Sequence, residues 1–363
     1  MGAFYGLLTG EWLWIGSVYL ETFAKKGGVM NKRVKKIIDK SYNGALLGSQ
    51  EIRELLELDI CSEESFYLAF KARQMSEEAC AGKAEIHGQV GVNSGPCSCN
   101  CAFCSFAAGN KIFNTQRIES LEFILQQALD LEEAGANAIY LMATAHLNFQ
   151  SFLEMGQAVR RELRTGVPLI ANIADFSYDE AVALRKAGFT GVYHAARLGE
   201  GKVTRIELKD RLQTFEAAGK AGLILGTCVE PIGPEHSHEE IVEKMIVARE
   251  AKPGFSGAMR RVTIPGTSLS AHGMLGETRM AHIVAAVRLA TPREIPGNCT
   301  HEPNVMGAVA GANLLWAEAG SNPRDVVDNT EKSRGYDVGK CREILVDAGW
   351  QVLDGPSKFF SAK

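Results

Sequence analysis

Short apolar runs recur along this chain, and each follows a segment of helical spacing that ends in Ala-Gly or Thr-Gly. These segments are residues 132–143, 164–175, 186–196, 220–230, 309–319 and 347–353. A glycine just past a helix adopts the left-handed conformation that ends it, and a short apolar run suits a buried parallel strand. The pattern therefore predicts repeated strand–helix units on a parallel sheet.

Eight candidate strands fit this rhythm, and eight strand–helix units predict a (β/α)8 barrel of the TIM type. The predicted strands are residues 86–92, 138–143, 168–173, 191–195, 223–229, 261–265, 293–297 and 313–316. A doubly wound open sheet is the alternative fold, although no G-x-G-x-x-G follows an early strand, which disfavours dinucleotide binding. Residues 30–85 form a predicted helical extension, with helices expected to begin at Ser49 and Ser62.

The first 29 residues differ from the rest because they are strongly apolar and carry Trp12, Trp14 and Tyr19. They lack the basic start and the cleavage site of a signal peptide, and their longest apolar run is shorter than the roughly 20 residues that span a bilayer. Three interpretations stay open: an extra packed helix, a start upstream of a true first residue Met30, and a peripheral helix for a membrane or partner. The predicted division is 1–29, 30–85, and a barrel with a C-terminal helix over 86–363.

Composition and charge narrow the function classes. The 363 residues include 43 acidic and 39 basic side chains, a formal net charge of −4, which gives no electrostatic signature for nucleic acid. Nine unevenly spaced cysteines do not suggest a disulfide framework. They favour a reducing compartment, the cytoplasm, with thiols kept for metal binding or chemistry.

The densest chemistry lies directly after the first predicted strand, in the segment 96–104 with sequence PCSCNCAFC. In a (β/α)8 barrel this end of the strands carries the active site. A zinc site or a chance cysteine-rich turn would be simpler interpretations, but zinc usually takes two ligand pairs from separate places, and the chain has no second such pair. Three thiolates from one loop suit an iron–sulfur cluster with one iron left open.

The spacing Cys97-x3-Cys101-x2-Cys104, with Phe103 before the last cysteine, resembles the signature of the radical S-adenosylmethionine superfamily. The resemblance implies that these three cysteines hold a [4Fe–4S] cluster whose fourth iron binds S-adenosylmethionine. Cys99 is an extra thiol, which would be a ligand only if the register were shifted.

The order of features over residues 30–353 resembles biotin synthase and its relatives: methylornithine synthase, a hydrogenase-maturation enzyme and the radical enzyme linked to the iron–guanylylpyridinol cofactor. The resemblance implies that Arg211 meets the carboxylate of S-adenosylmethionine, that Glu200 binds its ribose or amino group, and that Phe103 packs beside its adenine. A solvated arginine and a loop carboxylate are the simpler alternatives, and His194 is either a core histidine or a binding residue.

Biotin synthase also holds a second, sacrificial cluster through three cysteines and an arginine, and this chain departs from that pattern. The second and third predicted strands carry no cysteine, so only Cys228 on the fifth matches a ligand position, while Cys299 near the seventh has no clear counterpart. We expect Cys228 and Cys299 to shape or contact the substrate. Arg260 and Arg261 are candidates for a substrate carboxylate, with one of them expected at the surface because of strand alternation.

The resulting expectation is a radical enzyme that abstracts hydrogen from a small substrate in cofactor or amino-acid biosynthesis, in a carbon-skeleton or cofactor-building reaction. Sulfur insertion of the biotin or lipoyl synthase type is the first alternative, a non-catalytic iron–sulfur scaffold the second, and a zinc hydrolase the third. The expected partners are the small substrate and an electron donor such as flavodoxin or ferredoxin, without nucleic acid and without integral membrane association.

Overall fold

The computed structural model describes residues 30–361, so the predictions for the first 29 residues lie outside the described part. Three helices come first: α1 (Lys32–Tyr42), α2 (Ser49–Leu56) and α3 (Glu63–Ala79). Asn31 and Ser62 cap α1 and α3 by accepting backbone hydrogen bonds through their side chains. The apolar faces of the three helices share one buried cluster with residues of the barrel helix over 277–290, so the extension covers one side of the barrel.

Ten strands follow, interleaved with helices. The strands are β1 (Lys83–Gly91), β2 (Ala138–Met142), β3 (Leu169–Asn172), β4 (Gly191–Tyr193), β5 (Ile224–Gly226), β6 (Val229–Ile232), β7 (Phe255–Arg260), β8 (Gly297–His301), β9 (Leu314–Gly320) and β10 (Gln351–Val352). The helices are α4 (Leu121–Glu133), α5 (Phe149–Glu162), α6 (Tyr178–Lys186), α7 (Leu208–Lys220), α8 (His238–Glu250), α9 (Glu277–Ala290), α10 (Val305–Val309) and α11 (Val338–Asp347).

The sheet closes on itself, which confirms the predicted (β/α)8 barrel. All pairings are parallel, and β1 hydrogen-bonds to β2 on one edge and to β9 on the other. The order around the barrel is β1, β2, β3, β4, β5, β7, β8, β9, and β6 continues the fifth position by pairing with β7. Closure leaves eight strand positions and removes the open edges of a doubly wound sheet.

Two predicted strands were wrong, at 261–265 and 293–297. The sixth position is held by β7, and the apolar Val262 and Ile264 lie after it, in a loop that lines the cavity above the strands. The seventh position is held by β8, whose sequence GNCTH looks unlike a buried strand. It is buried throughout. The Asn298 N–H donates to the Asn313 side chain and the Asn298 amide donates to the Gly311 carbonyl, so the polar groups of Asn298 are satisfied without water.

The C-terminal segment closes the bottom of the barrel. After α11, β10 pairs with the start of β1, and the backbone N–H of Lys358 donates to the buried Glu85 carboxylate at 2.7 Å. Phe359 and Phe360 enter the core beside His87 on β1. A cavity in the barrel therefore opens at the other end, where the strands terminate.

Because Phe360 of the C-terminal segment packs in the barrel core, we expect it to contribute to stability. Phe360→Ala removes a side chain that is 2% exposed, and we expect the free energy of unfolding to fall by about 3–5 kcal/mol. The matched control is Phe66→Ala on α3, where the ring is 69% exposed and the change should stay within about 0.5 kcal/mol. Chemical denaturation measures both free energies of unfolding. Equal losses in the two variants would contradict the packing of Phe360 in the barrel core.

Candidate active site

One cavity lies at the carboxyl ends of the barrel strands, where the fold places an active site. The strand ends contribute Gln89, Met142, Asn172, Tyr193, Met259, His301 and Trp316 to its wall. The loop after β1 contributes all four clustered thiols, Cys97, Cys99, Cys101 and Cys104, together with Phe103. The cysteine motif and the strand ends therefore face the same space.

Backbone hydrogen bonds fix the cysteine loop. The Cys97 N–H donates to the Phe106 carbonyl at 2.7 Å, and the Cys97 carbonyl accepts from Ala108 N–H at 3.0 Å. The Phe106 N–H donates to the Cys104 sulfur at 3.3 Å. Gly95 permits this close return, because a Cβ there would lie 2.4 Å from the Phe106 carbonyl oxygen.

The thiols differ in the ease with which they lose a proton. A hydrogen bond from Cys99 lowers the pKa of Cys97, and the same contact raises the pKa of Cys99. Burial raises the pKa of Cys104 to about 12, so this thiolate needs a nearby cation. A bound metal ion would supply that charge, so the chemistry of the loop suits a metal.

A second group surrounds Arg211 on α7. Its Nη1 donates to the two Asp175 carboxylate oxygens at 3.1 and 3.2 Å, and its Nε donates to Glu200 at 2.6 Å. Arg211 and Asp175 line the cavity, whereas the Glu200 side chain is fully buried behind Arg211. Glu200 is therefore placed to orient Arg211, and the predicted contacts of both residues with S-adenosylmethionine stay predictions.

His194 belongs to the same group, since its Nε2 lies 2.7 Å from the Asp175 carboxylate. Burial lowers the pKa of His194 to about 4, so the imidazole is neutral near pH 7 and donates from Nε2. Burial alone would raise the pKa of Asp175, but the hydrogen bond from His194 and the charge of Arg211 hold it well below its usual range. The group therefore presents one ionised carboxylate and one guanidinium.

Two further arginines reach the cavity wall. Arg197 pairs with the buried Glu230 at 2.9 Å, and Tyr193 donates to the other oxygen of that carboxylate. Arg324 contacts Glu318 on β9 and lies 3.5 Å from Glu302. Each arginine is oriented by a carboxylate, as in the Arg211 group.

The two cysteines expected at the substrate lie in contact but in different positions. Cys228, between β5 and β6, lines the cavity, and its sulfur is 3.5 Å from that of Cys299 on β8. Cys299 is fully buried in the barrel core behind Cys228. A direct substrate contact is thus available to Cys228, whereas Cys299 would act through it.

The expectation that either Arg260 or Arg261 points to the surface was wrong, because both line the cavity. Arg260 ends β7 and Arg261 follows it, so strand alternation no longer applies. Arg261 forms two hydrogen bonds to Glu235, at 2.9 and 2.8 Å. A Cβ at Gly233 would lie 2.7 Å from that guanidinium, so glycine leaves the room it needs.

Comparisons with known proteins point to one group. The chain is 26% identical over 326 residues to biotin synthase of Syntrophus aciditrophicus, covering 87% of this chain and 97% of that protein. It is 25% identical over 296 residues to biotin synthase of Acetivibrio thermocellus, covering 76% and 89%. The sequence similarity supports a radical S-adenosylmethionine enzyme of the biotin-synthase-like group. No family profile matches the chain.

Solved structures agree on the fold. Methylornithine synthase superposes with a TM-score of 0.73 at 17% identity, covering 89% of this chain and 98% of that one. The FeFe-hydrogenase maturase HydG from Carboxydothermus hydrogenoformans gives a TM-score of 0.73 at 18% identity, covering 93% and 81%. At these identities the likeness concerns the barrel and its helices.

Similarity to these enzymes implies an iron–sulfur cluster and S-adenosylmethionine, and the cysteine loop fits the first of these. Among residues 30–361, no three His, Cys, Asp or Glu side chains surround one metal-ion position. A [4Fe–4S] cluster does not require such an arrangement, because each thiolate binds a different iron. In the same residues, no helix is long and apolar enough to cross a membrane.

Several residues of the cavity wall were not predicted from the sequence. Asp175 follows β3 by three residues. Its position just after a buried strand could have marked this carboxylate as a candidate site residue. Arg197, between β4 and α7, and Arg324, beyond β9, were not singled out from the sequence. Asp175 and its partner Arg211 are 36 residues apart, and Arg197 and Glu230 are also distant in sequence, so no local pattern links these pairs.

The buried histidines predict how stability depends on pH. The pKa of His194 and that of His282 on α9 are both lowered by burial to about 4, below the unfolded value of about 6.5. The unfolded chain therefore binds more protons, and stability falls as pH drops from about 6.5 toward 4. We expect each histidine to contribute on the order of 1–3 kcal/mol to this loss.

Denaturation at pH 7 and pH 4.5 checks this for the parent and for His194→Gln, whose amide can still donate to Asp175. The variant should show a smaller difference in unfolding free energy between the two pH values. His282→Gln is the comparison outside the cavity and should flatten the dependence similarly. Identical pH dependence in all three proteins would refute the assignment.

Proposed function

We propose that Cys97, Cys101 and Cys104 hold a [4Fe–4S] cluster and that the cavity binds S-adenosylmethionine beside it. The observation that carries the proposal is that a Cys-x3-Cys-x2-Cys loop follows the first barrel strand and lines the same cavity as the strand ends. Reduced by one electron, such a cluster with S-adenosylmethionine supplies a 5′-deoxyadenosyl radical, which abstracts a hydrogen atom from a substrate.

The chain's own residues have distinct parts in this proposal. Arg211, fixed by Asp175 and Glu200, offers a guanidinium for the carboxylate of S-adenosylmethionine, because an arginine fork suits a carboxylate. Phe103, between two cluster cysteines on the cavity wall, provides an apolar surface for the adenine. The closed barrel bottom excludes water from below, which protects a reactive radical from side reactions.

The proposed substrate is a small molecule of cofactor or amino-acid biosynthesis, changed in a carbon-skeleton or cofactor-building reaction. Biotin synthase has cysteines on its second and third strands, whereas here those strands carry none and end in Met142 and Asn172 on the cavity wall. Neither is a thiolate, which disfavours a sacrificial cluster. Sulfur insertion remains the alternative, favoured by the contact between Cys228 and Cys299. A one-electron donor and a cytoplasmic location complete the proposal.

The cluster ligands can be tested by substitution. Cys97→Ala, Cys101→Ala or Cys104→Ala should each abolish the brown chromophore and the reductive release of 5′-deoxyadenosine. Cys99→Ala is the matched control on the same loop and should retain both. Anaerobic absorption spectra and product analysis measure the outcome. A dead Cys99 variant beside an active Cys97 variant would show that the ligand register is wrong, and no cleavage by the parent would favour the scaffold alternative.

The iron content of the protein distinguishes a carbon-skeleton or cofactor-building reaction from sulfur insertion. A Cys228→Ala, Cys299→Ala double variant should keep the parent's iron, about four atoms per chain for one [4Fe–4S] cluster, and should still cleave S-adenosylmethionine. We expect loss only of productive turnover of the true substrate, because Cys228 lies on the cavity wall. Anaerobic iron and sulfide analysis decides this. A parent with more iron that the double variant loses would promote sulfur insertion to first place.

A further inference from the structure

The outer side of the cysteine loop is basic. Residues 86–118 contain Lys111 and Arg117 but no Asp or Glu, and residues 201–206 contain Lys202 and Arg205 but no Asp or Glu. The whole chain has a net charge of −4. Their four basic residues among 39 match the proportion in the whole chain, 39 of 363, so the segments differ from the rest by their lack of acidic residues.

The fold brings both segments against the cysteine loop. The Ala102 N–H donates to the Val203 carbonyl at 2.8 Å, and the Arg205 N–H donates to the Cys99 carbonyl at 2.8 Å. On another side, the Asn110 side chain donates to the Cys104 carbonyl at 2.8 Å. Lys111 follows directly, so basic residues flank the loop from two chain segments.

Three of these basic side chains are available to a partner. Lys111, Lys202 and Arg205 are exposed, and within residues 30–361 none has a carboxylate within 4.0 Å, whereas Arg117 pairs with Glu119 and Asp328. Glu207 approaches the neighbouring Gly201 and offsets part of the charge. Ser98, Ala108 and Gly109 are also exposed, so small residues leave the loop itself open to close approach.

We propose that Lys111, Lys202 and Arg205 form the docking surface for an acidic one-electron carrier protein of the flavodoxin type. The inference rests on the proposed function, which needs one electron delivered to the cysteine loop: the carrier is oxidised by one electron and the cluster is reduced by one. A basic rim attracts an acidic partner over a distance and raises the association rate. This attraction weakens as salt shortens the Debye length.

The test reverses the three charges in Lys111→Glu, Lys202→Glu, Arg205→Glu. The matched control, Lys32→Glu, Lys36→Glu, Arg161→Glu, makes the same change of charge at exposed residues of α1 and α5. Binding of an acidic flavodoxin is measured by calorimetry and by stopped-flow association at low and high salt. We expect the association rate to fall at least about tenfold for the loop variant at low salt, with the difference shrinking at high salt, and little change for the control.

Dithionite separates this inference from the proposed function, because a small reductant needs no docking surface. With dithionite, the loop variant should cleave S-adenosylmethionine at the parent's rate, and with reduced flavodoxin it should be slower. Equal flavodoxin binding and equal flavodoxin-driven rates in loop variant and control would overturn the docking surface. Failure of dithionite to drive cleavage in the parent would overturn the proposed function instead.

Discussion

The cavity depends on one physical constraint: each buried charged side chain needs an opposite charge in contact with it. An isolated guanidinium in a barrel interior is strongly disfavoured, and it becomes tolerable when a carboxylate lies against it and shares its hydrogen bonds. Arg211 lies against Glu200, Arg324 against Glu318, and Arg261 against Glu235. The arginines of these three pairs line the cavity and their carboxylate partners do not. The carboxylates Asp175 and Glu230 also line it, so a ligand would meet both signs of charge.

The same constraint explains why the fold was easier to predict than the site. Helix ends, glycine caps and apolar runs are local signals, and they predicted six of the eight strand positions. The seventh strand was missed because polar Asn298 and Thr300 are buried there. Hydrogen bonds to Asn313 and Gly311 make the burial of Asn298 acceptable. The sixth was misplaced because the apolar Val262 and Ile264 line a cavity instead of forming part of the sheet.

The candidate site also has one part that the sequence predicted and one part that it did not. Cys97, Cys101 and Cys104 could be singled out because one loop carries all three, and their common cavity follows from their position after β1. Arg211 depends on Asp175 and Glu200, which lie 36 and 11 residues away in sequence, and only the closed barrel brings them together. Resemblance to a family placed Arg211 and Glu200 near each other, but it did not show that Glu200 lies behind the guanidinium.

At the bottom of the cavity two buried cysteines are in contact, and the glycine at position 257 makes this contact possible. β7 lies between the strand positions of Cys228 and Cys299, and a Cβ at Gly257 would lie 2.5 Å from the Cys299 sulfur. The missing side chain lets the two thiols meet across that strand, where burial raises the pKa of Cys228 well above its usual range. The two cysteines share this core with the aromatic side chains of Trp316 and Phe255. The arginines and the carboxylates Asp175 and Glu230 lie on the wall, whereas the side chains packed around Cys228 and Cys299 are mainly aromatic and aliphatic.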